Sequence, residues 1–340
     1  MTQWSGGLPP AAHERLERQR ASKTAGSLFS APAAAAARSA GLDPVGEVFG
    51  CLVMNLGWTG GTCGYWGGGG IGGFGGGGLF GGSQQGGGFG GGPATFGGGF
   101  GGMGGWVSPV TTSGGPGGAQ SGFGPYVKAF EAAFHGAVAR MLAEAQALGA
   151  EGVVGVQLSR SLIDGRAWEF TATGTAVRTI DTSLIGRPAN AGDVWCANLT
   201  AEDCTAAILS GLVPRGITLG ISVATKHEDY QLKQQRSTWS GNTEVTGLTT
   251  LLQEARRDAR AQLTAHASRL GGTDLAISQS WINEFDTPCG QEVDVHAEAV
   301  FIGTVLAPGP MSDFRTKNRP GTAKILTVIP LTDPPQRRSR

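Results

Sequence analysis

Charge is scarce in this 340-residue chain: Asp, Glu, Lys and Arg together make 15%, and none of them occurs from Val48 through Val127. Cysteine is scarce too, with five residues, an odd number, and no C-x-x-C pair. That pattern fits a reduced, cytoplasmic protein better than a disulfide-stapled secreted one. No stretch approaches the roughly 20 apolar residues of a membrane helix. Arg15, Glu17, Arg18 and Arg20 precede Ala-rich sequence, not the apolar core of an export signal. There is no H-E-x-x-H and no G-x-S-x-G, and no Lys-Ser/Thr follows the glycines. Zinc-protease, serine-hydrolase and P-loop readings therefore lack their signatures. Although the formal net charge is zero, it is unevenly distributed. Residues 1–40 carry five basic and two acidic side chains, residues 313–340 seven and two, and the span between them is net −8. Neither end has a dense basic run with aromatics, so both read as solvated basic tails and nucleic acid is not expected as a partner.

Glycine is what the chain has in excess, with 60 residues. Residues 57–105 hold 29 of them, and nine aromatics from Trp58 to Trp106 are scattered at no fixed period. Because glycine loses the most backbone entropy on ordering, sparse aromatics cannot offset that cost for a separate fold. The tract 57–121 is expected to be a disordered insert, with a sticker-and-spacer segment for self-association as the sharper alternative.

Around the insert the chain repeats itself. Gly41, Pro44, Gly46 and Gly50 recur as Gly211, Pro214, Gly216 and Gly220, all 170 positions later. LGAEGVVGV (148–156) matches LGGTDLAIS (270–278) at an offset of 122, and EFTATGTAV (169–177) matches EVDVHAEAV (292–300) at 123. The drop of 48 positions between these blocks locates the insert. Ser30 and Thr200 are N-cap residue types before equivalent short helices. Each copy then reads strand, helix, strand, strand. In the first, Val127, Phe130, Phe134, Val138, Met141 and Ala145 form a helical stripe. Gly149 stops that helix. In the last strand Trp168, Phe170, Ala172 and Ala176 alternate with Glu169, Thr171, Thr173 and Thr175. In the second copy a helix is expected near 248–270 and strands near 215–224, 273–281 and 291–305. The fold class is α+β: tandem βαββ units, each a three-stranded antiparallel-type sheet with one helix on a face. The expected organisation is a tail (1–27), a first unit (28–180) interrupted by the insert (57–121), a linker (181–197), a second unit (198–306) and a tail (307–340).

The segments PVGEVFG (44–50), MLAEAQALGA (141–150), VVGV (153–156) and GTAVR (174–178) resemble the YbjQ-like family, whose members carry the label of heavy-metal-binding domains. The resemblance implies a βαββ unit assembling into pentameric rings, and hence a homo-oligomer whose partner is itself. The second copy departs from it, with AEAVF (297–301) in place of GTAVR and LGG (270–272) in place of LGA.

For chemistry, the best local cluster is Glu292, Asp294, His296 and Glu298, which share one face of the last strand. Asp294, His296 and Glu298 are the candidate ligands for a divalent transition metal. Same-face neighbours lie about 6.5–7 Å apart, so another strand or subunit would have to complete a site. The plainer reading is the wet face of an antiparallel sheet. His266 and Glu144 occupy equivalent helix positions and read as subunit-boundary contacts. Cys196 and Cys204 flank a helix N-cap, which can lower a thiol pKa. His135 and His227 stand alone in the sequence. Three functions remain open: a non-catalytic assembly or binding protein, a heavy-metal-binding protein, and an enzyme acting on a small molecule at a subunit interface.

Overall fold

The computed structural model describes residues 8–22, 26–56, 108–114, 122–165, 167–185, 193–237 and 241–310. Most of the glycine-rich insert, the first seven residues and the stretch 311–340 lie outside the described residues. The first unit comprises helix α1 (Pro10–Ser22), α2 (Ala31–Ser39), strand β1 (Leu42–Asn55), a two-residue β2 (Thr111–Thr112), α3 (Gly124–Ala147), β3 (Gly152–Asp164) and β4 (Ala167–Thr179). Between the units come α4 (Thr182–Ile185) and β5 (Trp195–Cys196). The second unit comprises α5 (Ala201–Leu209), β6 (Leu212–His227), α6 (Tyr230–Gln235), α7 (Thr246–Arg269), β7 (Asp274–Cys289) and β8 (Glu292–Pro308).

The duplication is written in backbone detail. Ser30 caps α2 by accepting from the Ala33 N–H, and Thr200 caps α5 by accepting from the Asp203 N–H. The long helices α3 and α7 end before Gly149 (φ 70) and Gly271 (φ 69), where a side chain would be strained. Both first strands shift register at the same point, between Pro44 and Gly46 and between Pro214 and Gly216. Each long helix then crosses its first strand at a glycine. A Cβ on Gly50 would stand 1.9 Å from the Ala137 carbonyl oxygen, and one on Gly220 would stand 2.0 Å from that of Ala259.

Each sheet has four strands, one more than expected. The order is β1-β4-β3-β5 in the first and β2-β6-β8-β7 in the second. The extra strands come from segments that were expected to be a linker and an insert. β5 pairs parallel with β3, and β2 pairs antiparallel with β6. Thus residues 108–114 of the insert belong to the second unit's packed structure. The N-terminal tail is also partly structured. Helix α1 buries Ala12 and Leu16, and Arg15 ion-pairs with Glu144, a carboxylate 2% exposed that also accepts from the Phe49 N–H at 2.9 Å. A buried carboxylate needs a cation, and α1 delivers it.

The two units are packed together through α3. One hydrophobic cluster runs from Val48 and Phe170 of the first sheet through Phe130, Phe134 and Met141 of α3 to Ile221, Val223, Val300 and Ile302 of the second sheet. On the opposite face of the second sheet, Ala297, Ala299 and Phe301 pack with Leu251, Ala255, Ala259 and Leu263 of α7. The layers therefore run first sheet, α3, second sheet, α7. The short helices α2 and α5 pack in a separate cluster with Val154, Val177 and Leu306.

Gly50→Ala and Gly220→Ala should each destabilise the protein by about 1–3 kcal/mol, because the helix must be pushed off the strand. Gly26→Ala, whose Cβ would meet nothing closer than 3.6 Å, should leave the urea midpoint unchanged.

Candidate functional site

The face of β8 expected to be wet is buried. Asp294 is 4% exposed, His296 1% and Glu298 3%. The correction comes from α3, which lays Phe123, Tyr126 and Phe130 across that face and is joined there by Arg160 of β3. On the equivalent face of the first sheet Glu169, Thr171 and Thr173 are half-exposed, whereas Thr175 is buried and accepts from the Leu28 N–H at 3.1 Å.

Buried polar groups must find partners, and the three candidates find three different sets. Glu298 takes Arg160 Nη2 at 2.5 Å and Nη1 at 3.2 Å, the Tyr126 hydroxyl at 2.5 Å and the Asn283 amide at 3.2 Å. The guanidinium also lies 5.0 Å from the Phe130 ring centre and 5.2 Å from that of Trp168, an arrangement favourable for a cation over aromatic faces. Burial, reinforced by the Glu298 charge, pushes the Tyr126 phenol up, so its proton stays in place as a donor. His296 sits between hydroxyls, Thr225 at 2.9 Å from Nδ1 and Thr287 at 2.7 Å from Nε2, with the Phe123 and Phe285 rings 4.8 and 5.0 Å away. Burial lowers its pKa to about 4, against the opposing pull of Asp294 and Asp286. Asp294 turns to His227, accepting from Nδ1 at 2.8 Å, while Glu292 meets Nε2 of the same ring at 2.6 Å.

Asp294 is accordingly the one predicted ligand found among other ligand types. His227, Cys289 and Asp294 bring one ligand atom each within 4.8 Å of one another. Three adjacent strand ends position them, because β6–β8 register sets His227 opposite Asp294 and β7–β8 register sets Cys289 opposite Glu292. His227 was missed because it stands alone in sequence; only the β6–β8 register places it opposite Asp294. Burial opposes protonation of His227, but its bonds to Asp294 and Glu292 outweigh that and raise its pKa. An imidazole nitrogen and carboxylate oxygens suit a borderline divalent cation, and the third group, the Cys289 sulfur, would join them only as a thiolate. The fully reduced state expected from the cysteine count is corrected here: Cys289 is held in a disulfide, whereas Cys51, Cys196 and Cys204 are free.

Other expectations are corrected. Burial pushes Cys196 up to about 11 and Cys204 up to about 12, overriding any effect of the nearby helix cap. Glu144 and His266 make contacts inside their own units: Glu144 accepts from the Phe49 N–H, and His266 Nδ1 lies 2.9 Å from the Leu219 carbonyl oxygen, at the equivalent position.

Residues 117–180, which span α3, β3 and β4, match a family described as "Putative heavy-metal-binding" and labelled YbjQ. This segment is YbjQ-like. Among its described residues no three His, Cys, Asp or Glu side chains converge as the trio of the second unit does, so the ligand cluster lies outside the YbjQ-like match. An encapsulin nanocompartment protein of Mycobacterium tuberculosis is 34% identical over 143 residues, which is 41% of this chain. The match spans about half (53%) of that relative's length. No solved structure matches the chain. None of the described helices is long and apolar enough to cross a membrane.

Removing Arg160 would leave Glu298 buried beside the YbjQ-like helix without its cation. Arg160→Ala should cost about 3–5 kcal/mol, whereas Arg257→Ala, on an exposed pair with Glu254, should change stability by less than about 0.5 kcal/mol. The two histidines should give opposite pH dependences. His296 binds its proton more weakly folded than unfolded, so stability falls as pH drops from 6.5 towards 4, by on the order of 3 kcal/mol. His227 binds its proton more tightly folded, so its contribution is present below 6.5 and is lost as pH rises through its raised pKa. In thermal melts from pH 8 to 4.5, His296→Gln should flatten the acid loss and His227→Gln should steepen it.

Proposed function

We propose that this protein is a non-catalytic assembly component that associates with its own kind, most simply in a pentameric ring. The observation carrying this reading is the direction of the contact inside the chain. The first unit's helix covers the far face of the second unit's sheet, which is a head-to-tail contact between two copies of one motif. Repeating a head-to-tail contact from chain to chain closes a ring when the rotation permits. Among the described residues the surfaces for such a step are open. The far face of the first sheet presents Val53, 55% exposed, and the long outer strands β1 and β7 each pair on one side only. Unpaired strand edges favour association. The YbjQ-like segment and the nanocompartment relative support the same class of role.

A second reading, a heavy-metal-binding protein, is favoured by one observation, the convergence of His227, Cys289 and Asp294. It keeps Asp294 from the sequence-derived trio and leaves His296 and Glu298 to hold the units together.

Light scattering tests the first reading. A mass of about 174 kDa, five times 34.7 kDa, is expected at micromolar concentration, and 34.7 kDa would reject it. Val53→Glu should lower the mass while leaving the far-UV spectrum of the chain intact.

A further inference from the structure

We propose that residues 26–29 of a second copy of this chain add as a short parallel strand to the free edge of β7, at residues 273–278. The proposal rests on the assembly reading and names the two surfaces that join one chain to the next.

Inside the chain, the second unit reaches the first by a strand of this kind. Residues 195–199, which lead into α5, run along the outer edge of β3. The Trp195 N–H donates to the Glu151 carbonyl at 3.2 Å and the Ala197 N–H to that of Val153 at 2.9 Å. In return the Val156 N–H donates to the Ala197 carbonyl at 2.9 Å, and the Gly155 N–H to that of Leu199 at 3.1 Å. The edge is sealed. Val153, Val154 and Ala197 are 0% exposed and Val156 1%.

The duplication supplies both halves of this contact a second time. The strand half is 26–29, which leads into α2. The Leu28 N–H donates to Thr175 Oγ1 at 3.1 Å, as the Asn198 N–H donates to Thr304 Oγ1 at 3.0 Å. Ser27 therefore stands where Ala197 does, and Phe29 where Leu199 does, each 170 positions earlier. The edge half is 273–278. The Glu151 N–H meets the Val177 carbonyl at 3.0 Å, and the Thr273 N–H meets that of Leu306 at 2.9 Å. Val153 then faces Ala176 as Leu275 faces Val305, and both strands bulge within the next few residues. Leu275 thus has the place of Val153, and Ala276 that of Val154.

These second halves are not joined to each other. Among the described residues β7 pairs with β8 alone, and 26–29 pairs with no strand of its own chain. The Ser27 N–H has no partner among the described residues. Ser27 is exposed, and Leu275, Ala276, Ile277 and Ser278 are half-exposed, where their counterparts are buried. Strand addition works through main-chain hydrogen bonds, so it tolerates Ser27 and Leu28 in place of Ala197 and Asn198. Each chain has one such strand, on its first unit, and one such edge, on its second. A copy docked through its strand still offers its own edge to a third copy, which makes the contact head to tail.

The test uses the full-length chain carrying Ser27→Cys and Ala276→Cys. Their counterparts Ala197 and Val154 share one buried cluster, so the two thiols of neighbouring chains should come within reach of each other. Oxidation with copper phenanthroline should give a ladder of covalent multimers on a non-reducing gel. Peptide mass spectrometry should find position 27 linked to position 276. The wild type, and a chain carrying Ser27→Cys with Thr264→Cys on the exposed side of α7, should give no ladder. Ser27→Pro, which removes the donating N–H, should raise the concentration at half-dissociation by about 2–10-fold, the effect of losing one hydrogen bond. Ser27→Ala keeps that N–H and copies Ala197, so it should not change it. A wild-type oligomer whose doubly substituted chain forms no 27–276 link, a link confined to single chains, or equal dissociation of Ser27→Pro and wild type would overturn the proposal and leave the assembly reading standing. A wild-type mass of 34.7 kDa would overturn both.

Discussion

Helix α3 is enclosed between two sheets, and most of the other features follow from that constraint. A helix serving one sheet needs a single apolar stripe, as α7 has with Leu251, Ala255, Ala259 and Leu263. Where α7 carries Arg256 and Arg260, α3 carries Phe134 and Val138. These are positions 122 residues apart in the duplicated units. The added apolar width lets α3 cover the second sheet while still sealing its own, so two thin cores become one of useful size. The short strands β2 and β5, drawn from the insert and the linker, extend the sheets beside this contact.

Covering a strand face that carries Asp294, His296 and Glu298 imposes an electrostatic demand. Burying charge is tolerable when each group is paired and hydrogen-bonded. Glu298 meets that demand with a forked arginine and a phenol, His296 by remaining neutral between two hydroxyls, and Asp294 with His227. Glu144 at the other side of α3 does the same through Arg15. The same residues that looked like a metal cluster therefore divide between fastening the units and lining a small donor set at the sheet's end.

This division bears on function. Two copies fastened head to tail inside one chain are the basis of the proposed contact between chains, and Val53 on the first sheet's far face is exposed. The donor set sits apart from that face, in the second unit, beyond the segment that matches the YbjQ family.

The sequence by itself determined the duplication, the order strand, helix, strand, strand, and the ends of the long helices. These are local properties, set by alternation, by 3.6-residue periodicity and by glycines at 149 and 271 that permit a left-handed turn. It also singled out the polar face of β8, since side chains alternate with a period of two whatever lies above them. Only the tertiary structure decided what covers that face, because burial of β8 depends on a helix about 170 residues earlier. It alone brought His227 and Cys289 beside Asp294, since register between strands, not spacing along one strand, sets those distances. For the same reason α1 could not be read from its composition. Its mean hydropathy is low and its charges suggest a solvated tail, but Arg15 has a partner that only the fold places within reach.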